Sequence, residues 1–172
     1  MTAATLSAKE ILGHLVAFDT TSSKTNIPCA EWIRDYLAYL GVEAQLLPDA
    51  NGIHANLFAT MGPPTGGGIA LSGHMDVVPT VGQPWDSDPY TMVERDGRLY
   101  GRGTSDMKGY LACVLAAVPA FKRRDLKMPV HIVFSYDEEV GCTGVIPMVA
   151  NRLAFSPSAV GTRWLSMPWP AR

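Results

Sequence analysis

The sequence predicts an α/β fold in which helices pack on a mixed sheet. Two observations carry that expectation. Residues 69–136 read as strand, helix, strand, with apolar patterns of the matching lengths. The 172 residues, 47% hydrophobic and 17% charged, suffice for one globular domain with a hydrophobic core.

Taken in order, Ser7-Ala8-Lys9-Glu10 fits a capping box, and Ile11, Leu12, Leu15 and Val16 follow at helical spacing, so a first helix runs to about Phe18. The polar cluster 19–23 ends it. A second helix starts near Pro28 and stops at Gly41, with Ile33, Leu37 and Leu40 on its apolar stripe. Residues 43–47 and 55–61 read as strands. GPPTGGG (62–68) is a turn-forming loop, because a phosphate cradle would need Gly-Lys-Ser/Thr opening a helix. A short apolar strand, 69–72, runs into Gly73-His74-Met75-Asp76. Asp96-Gly97 between 93–95 and 98–100 signals a hairpin. Residues 108–121 form a mostly apolar helix whose last turn Pro119 bends or frays. The buried strand 130–136 ends in Asp137-Glu138-Glu139, and 144–153 is a last helix.

Composition excludes several functions. A formal net charge of -2 leaves no basic footprint for nucleic acid. No apolar run approaches the roughly 20 residues of a membrane helix, and the opening MTAATLSAKE carries no apolar signal core, so the expected compartment is the cytoplasm. Cys29, Cys113 and Cys142 include no CxxC pair and are expected to be small, buried, reduced residues.

Three polar clusters follow apolar segments or lie in loops: His74-Met75-Asp76, Ser105-Asp106-Met107 and Asp137-Glu138-Glu139. Ligands of open α/β sheets gather outside the strand ends, where such clusters can converge. Together they offer an imidazole and several carboxylates, a ligand set that zinc accepts. Asp76, two residues beyond His74, could accept a hydrogen bond from the far imidazole nitrogen and fix the tautomer. Adjacent strand residues point oppositely, so Glu138 and Glu139 can serve one site only if the chain turns there, as Gly141 permits. His131 reads as a packed core histidine, while His14 and His54 have no partner motif. Arg102 and Lys108 read as cations surrounding an acidic site.

The blocks LSGHMDVVP (71–79), WDSDPY (85–90), DGRLYGRGTSDMKG (96–109) and SYDEEVGCTGV (135–145) resemble successive signatures of the acetylornithine deacetylase/succinyl-diaminopimelate desuccinylase metallopeptidase family. The resemblance covers nearly everything up to about Val160 and is strongest to the acetylornithine deacetylases. It implies a partial three-layer mixed sheet with helices on both faces, as in zinc-peptidase catalytic domains. It also implies two zinc ions, which cobalt can replace, and removal of the acetyl group from N2-acetyl-L-ornithine in arginine biosynthesis. His74 would bind one metal and Glu139 the other, Asp106 would bridge them through a cis Asp106–Met107 peptide, Asp76 would orient His74, and Glu138 would be the general base. The implied partner is a small acylated amino acid, with no nucleic acid and no membrane. Succinyl-diaminopimelate desuccinylase, aminoacylase or dipeptidase activity on the same skeleton, or a non-catalytic remnant, are the alternatives.

The pattern breaks after Val160. Residues 1–160 read as the N-terminal part of the metal-dependent catalytic domain, and 161–172 as an atypical tail without helix or strand period, holding two of the four tryptophans. A frameshift or premature stop is the expected origin, with a natural short variant as the alternative. Family members run to roughly twice this length or more over two domains, and their dimerisation domain is absent here. No Asp, Glu or His follows Glu139. Each metal would keep two protein ligands where zinc usually has three or four, so the chain is expected to be incomplete and inactive alone.

Overall fold

The computed structural model describes residues 5–149 and the backbone of residues 163–164. A five-stranded mixed sheet forms its centre, in the order β1-β2-β6-β3-β7. β2 (Ala55–Met61) runs antiparallel to both of its neighbours, β1 (Ala44–Pro48) and β6 (Val130–Ser135), and β3 (Ile69–His74) lies parallel to β6. Helices α1 (Ala8–Val16), α2 (Ile27–Tyr39) and α3 (Lys108–Lys122) build the main apolar core against one face. On the other face Met148 of the short helix α4 (Val145–Met148) packs with Ala70 and Val133. The expected α/β layering, with helices on both faces, is therefore present.

Local chemistry explains most boundaries. Ser7 and Glu10 form the capping box of α1, the Ser7 amide donating to Glu10 Oε2 at 2.7 Å. Asn26 occupies the N-cap of α2 but spends its amide elsewhere, exchanging two hydrogen bonds with the Ala55 backbone at 2.8 and 2.9 Å. It thereby ties the start of α2 to the start of β2, and Pro28 alone opens the helix. Asp96 and Gly97 both have positive φ, 53° and 70°, the conformation that a two-residue hairpin between β4 (Val93–Arg95) and β5 (Arg98–Tyr100) requires. α3 crosses β3 closely enough that a Cβ on Gly73 would meet Leu111 Cδ2 at 2.7 Å.

Several expectations are modified. β3 extends two residues further than predicted, to His74. α3 continues past Pro119 to Lys122. His131 is only half-buried and faces away from the main core, bonded to Thr60 Oγ1 at 2.9 Å and the Gly67 carbonyl at 3.1 Å. Cys29 is buried, whereas Cys113 and Cys142 are exposed. Of the predicted helix 144–153, Val145–Met148 is described and the rest lies outside the described residues. So does the 160/161 boundary and most of the tail, although β7 (Arg163–Trp164) pairs in parallel with Ile69 and Ala70.

Lys108 is the largest departure. It is wholly buried, and its Nζ donates to the Phe18 carbonyl at 2.7 Å, so it does not surround the acidic site. A cation in the first turn opposes its own helix dipole, but this one reaches the C-terminal end of α1, where positive charge is favoured. It joins two helices at the base of the site.

Two stability predictions follow from this packing. Leu115, fully buried between the helices and the sheet, should cost about 2–5 kcal/mol when replaced by alanine, read by urea denaturation. Burial also pulls the Lys108 ammonium down to about 8 from its ordinary 10.5. Between those pH values the unfolded chain holds a proton that the folded chain has lost, so stability gains with rising pH. The stability of wild type minus that of Lys108→Met should rise through this window by about 3 kcal/mol. A flat difference would mean the ammonium stays charged when buried.

Candidate metal centre

The parallel pairing of β3 with β6 sets His74 level with Ser135, so both strands deliver their following loops to one sheet edge. The Met75 amide donates to the Ser135 carbonyl at 2.8 Å and keeps the loops together as they leave. The loop before α3 brings Asp106 to the same edge, and the Asp106–Met107 peptide is cis, as the family resemblance implies. Ligand atoms of His74, Asp106 and Glu139 lie within 4.8 Å of one another. His74 Nε2 lies 3.2 Å from Asp106 Oδ1 and 3.7 Å from Glu138 Oε2. All five residues picked from the sequence, His74, Asp76, Asp106, Glu138 and Glu139, thus meet in one place.

Their environments differ. His74 and Asp76 are buried, while the Asp106 and Glu138 side chains are open to solvent. The far imidazole nitrogen, Nδ1, lies 2.9 Å from the Asp76 backbone carbonyl and 3.4 Å from Asp76 Oδ1. A proton on Nδ1 donates to that carbonyl, which leaves the Nε2 lone pair facing Asp106 and Glu138. Burial alone would push the imidazole pKa down, but the adjacent Asp76 carboxylate, its carbonyl and the Glu138 charge raise it to about 9.

The Asp76 carboxylate has a second task that sequence reading missed. Oδ1 accepts the Glu138 amide at 3.1 Å, and Oδ2 accepts the Glu139 amide at 3.2 Å and the Ser22 hydroxyl at 2.8 Å. Burial would raise this carboxyl, yet the bonds from His74, Ser22 and the two amides hold it below the usual carboxylate range. The turn that lets adjacent glutamates serve one site begins at Asp137, with φ of 55°, one residue before them, and Gly141 at φ 111° completes it. Burial raises the Glu139 carboxyl and, with His74 opposing, so do Asp106, Glu138 and Asp76.

Other polar residues brace these loops. Asn56, buried in β2, donates to the Gly144 carbonyl at 2.7 Å and accepts from the Tyr136 amide at 3.3 Å, closing the 136–144 loop from below. An asparagine in an otherwise apolar strand was the available signal. His54 lies 3.3 Å from Asp49, bonds the Lys24 carbonyl at 3.0 Å and stacks on Tyr136 at 5.1 Å. Arg102 bonds Gln83 and lies over the Trp85 ring at 5.2 Å, so it organises the 79–85 loop.

The residues fit a divalent cation. Four carboxylates crowd one imidazole, and among the described residues no Lys or Arg forms an ion pair with any of them. Three donors, His74, Asp106 and Glu139, converge within 4.8 Å of one another, with Glu138 beside them. Structural zinc has four ligands and catalytic zinc usually three from protein, so this cluster suits one ion and half-furnishes two.

The chain is 39% identical to an acetylornithine deacetylase of Myxococcus xanthus over 154 residues, which is 87% of this chain and 40% of that protein. It is 36% identical over 137 residues to the acetylornithine deacetylase of Proteus mirabilis strain HI4320, covering 78% of this chain and 35% of that protein. The chain therefore spans well under half the length of these curated relatives. The crystal structure of human carnosine dipeptidase 1 superposes with a TM-score of 0.76 at 29% identity, over 89% of this chain and 36% of that one. No helix among the described residues is long and apolar enough to cross a membrane. With the model of peptidase family M20/M25/M40 matching residues 70–163, more than half its length, the chain belongs to that family.

Proposed function

We propose that this chain carries the first half of a two-metal amidohydrolase centre, and that the substrate of the whole protein is N2-acetyl-L-ornithine, cleaved to L-ornithine and acetate. The convergence of His74 Nε2, Asp106 and Glu139 beside Glu138 is the observation that carries the reading. The two acetylornithine deacetylase relatives support the substrate; a place in arginine biosynthesis and in the cytoplasm is part of the same proposal. Residues 1–160 belong to the metal-dependent catalytic domain in this reading, and 161–172 are its atypical tail, of which Arg163–Trp164 pair with β3.

His74 would hold one ion, Glu139 the second, and Asp106 would be shared between them. Zinc or cobalt bound there would lower the pKa of a water and polarise the amide carbonyl. Glu138 sits 3.7 Å from His74 Nε2 with a solvent-open carboxylate, positioned to take a proton from the attacking water and return it to the departing amine. Asp76 holds His74 by its carbonyl and the two glutamates by its carboxylate. Other N-acyl-amino acid hydrolases, such as desuccinylases and aminoacylases, would use the same residues. The likeness to carnosine dipeptidase keeps dipeptides among the candidate substrates.

A chimera joining residues 1–149 to the remaining part of the Myxococcus xanthus relative tests the assignment. It should bind zinc and release acetate from acetylornithine faster than it cleaves succinyl-diaminopimelate, other acyl-amino acids or dipeptides. Glu138→Gln should keep the zinc and lose turnover by about a hundredfold or more. His74→Ala should lose zinc, measured by metal analysis after dialysis. A folded, zinc-loaded chimera that prefers another of these substrates overturns the substrate assignment, and Glu138→Gln retaining full turnover overturns the base. For the 172-residue chain by itself, two donors per ion predict weak zinc uptake and no measurable acetylornithine hydrolysis.

A further inference from the structure

We infer that Ser22 is a positioning residue for this site, acting through Asp76 on the backbone of Glu138 and Glu139. Ser22 lies 54 positions from Asp76 in sequence and belongs to none of the motif blocks, yet its hydroxyl donates to Asp76 Oδ2 at 2.8 Å. The same oxygen accepts the Glu139 amide at 3.2 Å, and its twin accepts the Glu138 amide at 3.1 Å. A carboxylate group can turn about its last side-chain bond. The Glu138 amide holds one oxygen, and the Glu139 amide and the serine together hold the other, so both oxygens are tied in the orientation that receives the glutamate loop.

Ser22 is itself held firmly. Residues 20–22 run alongside 75–77: the Val77 amide donates to the Thr20 carbonyl at 3.1 Å and the Ser22 amide to the Val77 carbonyl at 3.3 Å. The Thr20 hydroxyl donates to the Met75 carbonyl at 2.6 Å, and Thr21 bridges to Val77. Thr21 is bonded in turn to Asp19 at 2.7 Å and lies 3.2 Å from the Tyr90 hydroxyl. The loop after α1 thus reaches across as a rigid arm whose tip is the Ser22 hydroxyl. Partly buried, charge-assisted hydrogen bonds of this kind are stronger than neutral ones, and loss of one partner leaves lone pairs to be satisfied elsewhere. Without the serine, Asp76 Oδ2 keeps only the Glu139 amide, and the carboxylate that receives the Glu138–Glu139 turn is held less firmly.

The geometric claim stands on these contacts, and its catalytic meaning rests on the metal-centre reading above. Amide hydrogen exchange on the metal-free 172-residue chain separates the two, since it needs neither metal nor turnover. In the wild type the Glu138 and Glu139 amides should be protected. Ser22→Ala should speed their exchange about tenfold while Ile132 and Phe134 in β6 keep their protection. Ser22→Thr, which retains the hydroxyl, should restore wild-type rates at both amides. Unprotected glutamate amides in the wild type, unchanged rates in Ser22→Ala, or a loss of protection shared equally by β6 would each overturn the inference.

Discussion

One buried carboxylate, Asp76, holds the geometry of the site together. Taking a carboxylate out of water is costly unless every lone pair finds a donor. Asp76 is 2% exposed and meets that demand with the Ser22 hydroxyl and the amides of Glu138 and Glu139, with His74 at 3.4 Å. Two consecutive amides can aim at one carboxylate only if the chain leaves the extended conformation. Asp137, at φ 55°, makes that turn, in a region that Asp tolerates better than most residues. The requirement of a buried charge and the unusual backbone at 137 are two sides of one constraint. Its consequence is that Glu138 and Glu139, which a strand would send to opposite faces, both reach the imidazole.

The parts of the fold legible in the sequence were those decided locally. The capping box of α1, the Asp96-Gly97 hairpin and the strand 55–61 depend on residues within a few positions of one another, and each lies where the pattern puts it. The chemistry of the site was legible for a different reason: three clusters of metal-ligand types occur together in one short domain, and the family motifs mark them. What escaped was decided across the chain. Asn26 looks like a helix cap but is recruited by β2, 29 positions away, and the Ser22 contact spans 54. Lys108 looks like a surface cation at a helix start, and only the proximity of the α1 C-terminus makes its burial tolerable. Cys113 and Cys142 failed because hydrophobic type was taken for position: Cys113 lies on the outer side of the mostly apolar α3, and Cys142 in the exposed loop after the glutamates.

The burial gradient across the centre matters for the chemistry. His74 and Asp76 form its dry floor, while Asp106 and Glu138 stand in solvent at its mouth. A ligand that must stay put and a carboxylate that must hold backbone amides gain from low dielectric, where each contact is stronger and alternatives are fewer. A base must reach water and exchange protons with it, so exposure of Glu138 suits that role. Within two adjacent residues the 136–144 loop therefore supplies a ligand that is partly buried and a base that is open.

Electrostatics complete the case for a cation. The two cations expected to balance the acidic cluster are both committed elsewhere: Lys108 to the Phe18 carbonyl and Arg102 to Gln83 and the Trp85 ring. The carboxylates of Asp76, Asp106, Glu138 and Glu139 are left facing one imidazole. Burial and mutual repulsion raise Glu139, and the same negative field raises His74 to about 9. The neighbouring carboxylates contribute to both shifts, with burial acting alongside them at Glu139 and against them at His74, and both shifts act to draw in protons. A divalent ion relieves the same excess with two charges at one position and lets His74 offer its Nε2 lone pair. The protons that the metal-free cluster gathers thus mark the place where a metal's charge is accommodated.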